Sequence, residues 1–398
     1  GKLTLWNYLN EKHFDAIVIN AGRDLGKKVE DIVHYLTTDS TYGTLDRFLY
    51  GFSGKSCNPQ ILDRSECIIE LCGIPIKILR TARNPRDINW AKEGVRLVVD
   101  CTGAFLDPTL PADHPKGSVR GHLEAGAEKV VVSAPFKIKN TSNSYPDDFT
   151  TIVYGVNHST YNPSKHNIIS AASCTTTGLA HMVKPLVCTK ETSEIITASM
   201  TTVHAATNSQ SILDAPPKAG AKDLRRNRST LNNIIPTSTG AARTLEEIIP
   251  EIKKIGFMAD SIRVPTTTVS LISLNITFRS ERIESESVTI TREFINDIYK
   301  KAAAGAHKDL LIFSENQNVS SDLMGRRAAV VIEGLETHTR TGLLSFDAET
   351  LRKIGIETDR DMELPVTHAK IFGWYDNEFG CYVNCMGKLT THIDKNLA

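Results

Sequence analysis

Cys174 and His204 are the residues whose type and spacing most directly suggest chemistry. Cys174 stands in SAASCTTT (170–177), where the apolar run HNIISAAS (166–173) gives way to the helical stretch TTTGLAHMVKPLV. A thiol at a helix N-terminus faces unpaired N–H groups and a partial positive charge, which stabilise its thiolate. His204 ends the strand-like run MTTVH (200–204). Two adjacent strands of one sheet would set its imidazole beside the sulfur, as proton acceptor and then donor. Each residue also has a structural reading: free cysteine is among the most buried residue types, and a histidine at a strand end often only completes packing.

Anion-binding groups follow. DLRRNR (223–228) places Arg225, Arg226 and Arg228 beside PPKAGAK, and Arg263 lies in SIRVPT. Guanidinium holds phosphate oxygens bidentately, and Ser173, Thr175, Thr207 and Thr239 offer hydroxyls. Gly240 and the two alanines after TST would add backbone donors at a helix start. For RRNR alone, a solvated basic loop is the alternative.

The elements that must position these groups change character at Cys174. Before it, DAIVIN (15–20), VRLVVDCTG (95–103), KVVVSAP (129–135) and HNIISAAS are short Val- and Ile-rich runs separated by polar or helical stretches, the pattern of a doubly wound parallel sheet. The first fifteen residues carry Leu3, Leu5, Trp6, Leu9 and Phe14 at near-helical spacing. After Cys174, the runs at 194–204, 261–278 and 367–376 are richer in Thr and Ser and predict a mixed or antiparallel sheet. The stretches 51–58 and 107–117 read as surface loops.

Composition narrows the class. The 398 residues are 40% apolar and 23% charged, enough for two domains, and 46 basic residues balance 46 acidic ones. That balance argues against nucleic acid or an anionic membrane as main partner. No apolar run approaches the roughly 20 residues of a membrane span, and the opening GKLTLWNYLN lacks a signal-peptide pattern, so an intracellular setting is expected. The eight cysteines are dispersed, with no CxxC pair and no zinc-type spacing, so no metal site is expected.

Five blocks resemble the glyceraldehyde-3-phosphate dehydrogenase family in its own order: ASCTT (172–176), TTVHA (201–205), NNIIPTSTGAA (232–242), RVPT (263–266) and WYDNEFG (374–380). The resemblance implies an α/β chain. Residues 1–173 would form a Rossmann-like dinucleotide-binding domain, 174–375 an α+β catalytic domain with an S-shaped loop at about 206–230, and 376–398 a return to the cofactor domain. It implies a phosphorylating oxidoreductase that converts glyceraldehyde 3-phosphate, NAD or NADP and phosphate to 1,3-bisphosphoglycerate. Cys174 would form the thiohemiacetal and then the thioester, with His204 as base. Thr207 and Arg263 would hold the substrate phosphate, and Ser173, Thr175, Arg225, Thr239 and Gly240 the attacking phosphate. Gly1, Asn20, Arg23, Thr102, Gly103, Ser133 and Asn377 would hold the cofactor. A homotetramer is likewise implied. The expected setting is the cytoplasm, with an organelle open if a presequence has been removed, and a four-carbon sugar phosphate stands as the alternative substrate.

The chain departs from that pattern in places. Gly1 aligns with the last glycine of the family's NGFGRIG loop, so the expected cofactor domain lacks its first strand. Ala21 replaces the family's ribose-binding acid, which opens the site to NADP. Thr177, Gly178 and Cys381 replace Asn, Cys and an aromatic residue. Enlarged loops around 48–67, 106–120 and 338–364 offer surfaces for protein partners, and the rival reading is a noncatalytic subunit of a larger assembly.

Overall fold

The computed structural model describes residues 1–80, 82–139, 146–217, 219–280 and 290–397. The chain divides into two compact units, Gly1–Ser173 with Tyr382–Ala398, and Cys174–Cys381. The division falls at the bond before Cys174, where the sequence changes from short apolar runs to longer Thr-rich ones.

In the first unit, α1 (Lys2–Glu11) leads to β1 (Ile17–Asn20). The helix stops before Phe14 because Lys12 turns left-handed, at φ 51°, and its N–H caps the Tyr8 carbonyl. α2 (Val29–Thr37) runs into a short hairpin of two-residue strands, β2 (Thr38–Asp39) and β3 (Gly43–Thr44). Next come α3 (Leu45–Tyr50), β4 (Gln60–Asp63), β5 (Ile68–Leu71) and β6 (Ile74–Leu79). Then come β7 (Leu97–Asp100), α4 (Arg120–Glu124), β8 (Lys129–Val132), β9 (Phe149–Thr151) and β10 (Ile168–Ser170).

These strands pair as β1-β6-β5-β4 and β7-β8-β10-β9. Among the described residues, β1 and β7 each have a strand on one side only. All pairs in the second sheet are parallel, as is β1 with β6. Trp6, Leu9, Ile32, Leu45, Ile69 and Ile76 fill one core, and Trp6 Nε1 donates to the Leu36 carbonyl at 2.6 Å. Met386 and Leu389 of the C-terminal helix Asn384–Asp394 pack on Val131 and Ile169. The 107–117 stretch forms neither helix nor strand, as expected of a loop, and its exposed residues lie in its middle. The stretch 107–117 is anchored at both ends, because Asp107 is buried and accepts from the Thr109 and Lys139 N–H groups, while Gly117 is packed against Phe105.

The second unit holds α5 (Cys174–Val187), β11 (Ile195–Ala205), β12 (Ile235–Ser238), α6 (Ala241–Ile248), β13 (Gly256–Val264) and β14 (Ser270–Arg279). It continues with α7 (Arg292–Ala304), β15 (Leu311–Ser314), β16 (Val330–Glu333), β17 (His338–Phe346), α8 (Ala348–Lys353) and β18 (Met362–Tyr375). The sheet order is β12-β13-β11-β14-β18-β16-β15, with β17 on β18, and its pairings are mixed. The 261–278 run is two strands rather than one, since Pro265 cannot continue a ladder. The enlarged 338–364 region folds as β17, α8 and the start of β18. α5 lies against the sheet at Gly178, whose missing Cβ leaves 3.4 Å to Ile272 Cδ1 and to the Ala329 carbonyl.

Candidate active site

The second unit brings together the thiol, the imidazole and one arginine. α5 begins at Cys174, so the sulfur sits at the helix N-terminus, where Thr175 supplies both its N–H and its hydroxyl. β11 carries His204, buried at 3% exposure, and sets Nε2 3.5 Å from Cys174 Sγ. Parallel pairing of β11 with β13 puts Arg263 opposite His204. Arg263 Nη1 lies 2.6 Å from His204 Nδ1 and donates to the Ala205 carbonyl at 3.2 Å, while Nδ1 itself lies 2.7 Å from that carbonyl.

The two contacts at Nδ1 make opposite demands. A proton on Nδ1 serves the Ala205 carbonyl and leaves Nε2 to accept the Cys174 S–H. A proton on Nε2 lets Nδ1 accept from Arg263 and presents an N–H to the sulfur. Burial, with the Arg263 charge adding to it, pushes His204 down to about 4 against the pull of the Ala205 carbonyl. Burial likewise raises the Cys174 thiol, and Arg263 and the Thr175 donors offset it only in part. Both shifts favour the uncharged pair, thiol and neutral imidazole. Desolvation thus opposes the thiolate that the helix start and Arg263 favour. Although the residue as a whole keeps some exposure, desolvation of the sulfur outweighs the helix end and the nearby cation.

Tyr375 joins this group. Its hydroxyl lies 2.9 Å from Thr175 Oγ1 and 2.7 Å from Thr202 Oγ1, and its ring meets that of His204 edge-on at 6.0 Å. Within WYDNEFG the sequence reading gives a role to Asn377 alone. Tyr375 carries no local mark of its own, because its partners are 200 and 173 residues away. Asn377 Oδ1 accepts from Ser270 Oγ at 3.0 Å, and Ser270 Oγ accepts the Ala205 N–H at 3.1 Å, tying Asn377 to the strand that carries His204. Val269, beside Ser270, holds a left-handed φ of 66°, strained backbone for a β-branched residue.

The remaining anion candidates are more scattered. Thr207 Oγ1 contacts Ser209 Oγ at 2.8 Å and Gln210 Oε1 at 3.2 Å. Arg225 is exposed and bound to Asp223 at 2.8 Å. It is the Arg226 charge that is felt at Arg263: burial foremost holds that guanidinium below its usual range, Arg226 acts the same way, and Cys174 and Tyr375 oppose. Thr239 Oγ1 accepts the Ala241 N–H at 3.2 Å, and the exposed Gly240 caps α6. Ser173 closes the first unit, directly before Cys174. Lys218, inside the 206–230 loop, lies outside the described residues.

In the first unit, Asn20, Thr102, Gly103 and Ser133 lie at or just past the C-terminal ends of parallel strands of its two sheets, where open α/β sheets bind ligands. Asn20 ends β1; its Nδ2 donates to the Ala82 carbonyl at 2.9 Å, and its buried Oδ1 has no partner among the described residues. Thr102 and Gly103 follow β7, and Ser133 follows β8, donating its N–H to the Asp100 carbonyl at 2.9 Å. Gly103 has φ 66° and no atom within 4 Å of where a Cβ would stand, which leaves open backbone. Gly1, at the start of α1, lies beside Cys101. Gly22, which is left-handed at φ 62°, accepts from Arg83 Nε at 3.1 Å, and Arg23 is exposed next to it. A buried acceptor without a donor, open glycine backbone and a helix start fit a dinucleotide with ribose hydroxyls and phosphates.

Residues 173–377 match the family described as glyceraldehyde 3-phosphate dehydrogenase, C-terminal domain. The chain is similar to glyceraldehyde-3-phosphate dehydrogenase of Priestia megaterium, 36% identical over 97% of this chain and 92% of the relative. It is similar to glyceraldehyde-3-phosphate dehydrogenase 1 of Bacillus subtilis, 34% identical over 97% and 93%. Glyceraldehyde-3-phosphate dehydrogenase of Streptomyces coelicolor is 37% identical over 84% of this chain and 83% of its own length.

Proposed function

Because this chain belongs to the glyceraldehyde-3-phosphate dehydrogenase family, we propose that it oxidises glyceraldehyde 3-phosphate and couples the oxidation to phosphorylation, with Cys174 as nucleophile and His204 as base. The observation that carries this reading is the 3.5 Å approach of Cys174 Sγ to His204 Nε2, with Arg263 at the far side of the imidazole.

With the proton on Nδ1, His204 Nε2 accepts the Cys174 S–H as the sulfur attacks the aldehyde carbon, giving a thiohemiacetal. The Nε2–H so formed faces the new oxygen. When bound, the nicotinamide cofactor supplies the hydride acceptor for oxidation to the thioester; Gly1, Asn20, Arg23, Thr102, Gly103, Ser133 and Asn377 are the residues that would hold it. Inorganic phosphate then attacks the thioester carbonyl, breaks the C–S bond and leaves as the acyl phosphate, 1,3-bisphosphoglycerate, while Cys174 regains its proton. Ser173, Thr175, Arg225, Thr239 and Gly240 surround that phosphate in this reading, and Thr207 and Arg263 hold the substrate's own.

Arg263 gives the base a dependence on substrate. Its charge against Nδ1 lowers the proton affinity of His204. A substrate phosphate seated on Arg263 offsets that charge, so the base strengthens when the substrate is in place. The same phosphate subsite accepts a four-carbon sugar phosphate, the alternative substrate within this chemistry.

Rapid mixing of enzyme, cofactor and aldehyde should give a burst of one reduced cofactor per chain, and mass spectrometry should find the acyl group on Cys174. Cys174→Ser should lose both. A burst in that variant, or an acyl group on another residue, sinks the proposal.

NAD and NADP both suit a β1 end with Ala21 in place of a carboxylate and with Arg23 and Arg83 nearby. Assembly into a homotetramer is supported by the exposed apolar side chains Ile196 and Val203 on β11, Met258 on β13, Ile234 just before β12, and Ile212 and Leu213 of the 206–230 loop. We place the enzyme in the cytoplasm; the described cysteines are all free thiols, and no described helix is long and apolar enough to cross a membrane. The reading of a noncatalytic subunit gains nothing from a site that keeps thiol, imidazole and arginine together.

A further inference from the structure

Cys57 and Cys72 take no part in the chemistry above. Cys57 is the one buried residue of the exposed stretch 51–58, and its N–H donates to Asp46 Oδ1 at 2.7 Å. Cys72 occupies the first position of the two-residue turn joining β5 to β6, where Leu71 pairs with Ile74. Cys72 and Gly73 both have positive φ, 56° and 83°, as a type I′ hairpin turn requires. The turn presents the Cys72 N–H to the Cys57 carbonyl at 3.1 Å, and each thiol shifts the other's hold on its proton. A backbone hydrogen bond of that length holds the two α carbons within about 6 Å, inside the span a disulfide bridges.

We propose that Cys57 and Cys72 form a dithiol site that a low-molecular-weight disulfide oxidises to an intramolecular bridge, pinning the 51–58 excursion to the β5–β6 hairpin.

The two sulfurs are unequal, and the inequality sets their order. Cys72 is partly exposed, and the Cys57 thiol, then the Tyr50 hydroxyl, hold it below the usual thiol range, with the Lys12 cation favouring the same form. Cys57 is pushed up, first by Cys72 and then by burial and Asp46. The Cys72 thiolate attacks one sulfur of R–S–S–R; a Cys72–S–S–R bond forms, and R–S⁻ leaves and takes a proton. That step removes the charge that most strongly held the proton on Cys57. Cys57 then loses its proton, attacks the Cys72 sulfur and expels the second R–SH. Counted from the dithiol, the protein gives up two protons, the first on forming the Cys72 thiolate, and two electrons, and the reagent becomes two thiols. Both cysteines pack on the same core, so the bridge forms without unfolding the sheet.

The intact chain is incubated with oxidised glutathione, alkylated, digested without reduction and mapped by mass spectrometry. The expected product is a peptide pair joined through Cys57 and Cys72, with neither thiol alkylated. The unfolding transition of the oxidised protein should rise by roughly 5 °C, the size expected for closing a loop of about 15 residues. Cys72→Ser should leave Cys57 free, and Cys57→Ser should stop at a glutathione adduct on Cys72. Cys174→Ser should form the bridge as the parent does, separating this site from the catalytic thiol. The map of the parent protein decides the matter even where Cys57→Ser, a core substitution, fails to fold. The proposal is overturned if Cys57 and Cys72 stay alkylatable while the exposed Cys188 takes up glutathione. It is equally overturned if the parent stops at an adduct on Cys72, or if only the denatured chain gives the bridge.

Discussion

His204 sits in a setting built to keep it uncharged, and that has a measurable cost in acid. Its folded pKa, pushed down to about 4 chiefly by burial, lies below the 6.5 of an exposed imidazole. A depressed pKa contributes stability that is fully present above the unfolded value and is lost as pH falls from 6.5 through 4, because the unfolded chain binds the proton first. Between pH 7 and pH 5 this amounts to roughly 2 kcal/mol. Urea midpoints for the parent and for His204→Gln should show the parent losing that much more on acidification; equal losses would mean that His204 titrates normally. At the other site, Ala21→Asp restores a carboxylate at the end of β1. It should shift the NADP to NAD affinity ratio toward NAD by about tenfold or more, read by titration calorimetry of both cofactors.

At the scale of elements, two strands and one helix converge on the Tyr375 hydroxyl: β11 through Thr202, β18 through Tyr375 itself, and α5 through Thr175. Burial foremost raises the tyrosine, so it stays a neutral donor and acceptor at all working pH values. Tyr375→Phe leaves buried threonine hydroxyls without this partner and should lower stability by about 1–3 kcal/mol. It should also slow alkylation of Cys174 by loosening Thr175, while NAD affinity stays unchanged; an unaltered alkylation rate would limit Tyr375 to packing. Gly380 marks a neighbouring constraint, since a Cβ there would collide with the Arg326 carbonyl.

At the scale of the whole molecule, exposed apolar residues concentrate on the β11–β13 face of the second unit and on its 206–230 loop. Met258 on β13 is 69% exposed, so Met258→Lys should leave the fold intact while shifting sedimentation from the parent assembly toward smaller species. An unchanged sedimentation coefficient would place the subunit interface elsewhere. The β17–β18 arm carries a second group of exposed apolar residues, Leu343, Leu344, Met362 and Leu364, on the enlarged 338–364 region.

Much of this was legible in the chain alone. Short Val- and Ile-rich runs predict parallel strands because such strands are buried on both faces, and Thr-rich runs predict the mixed sheet because one face meets water. The five ordered blocks, read as a pattern, point to the family and to a thiol, an imidazole and arginines as its working groups. What the tertiary structure alone decided are relations between distant residues and the electrostatics that follow. The register of β11 against β13 sets Arg263 on His204, 59 residues apart in sequence. Tyr375 reaches Thr175 only through sheet order, and Cys57 meets Cys72 only because a left-handed turn aims one N–H at the other's carbonyl. The resting state of Cys174 likewise depends on how completely its sulfur is desolvated, a property of everything packed around it, which no local motif encodes.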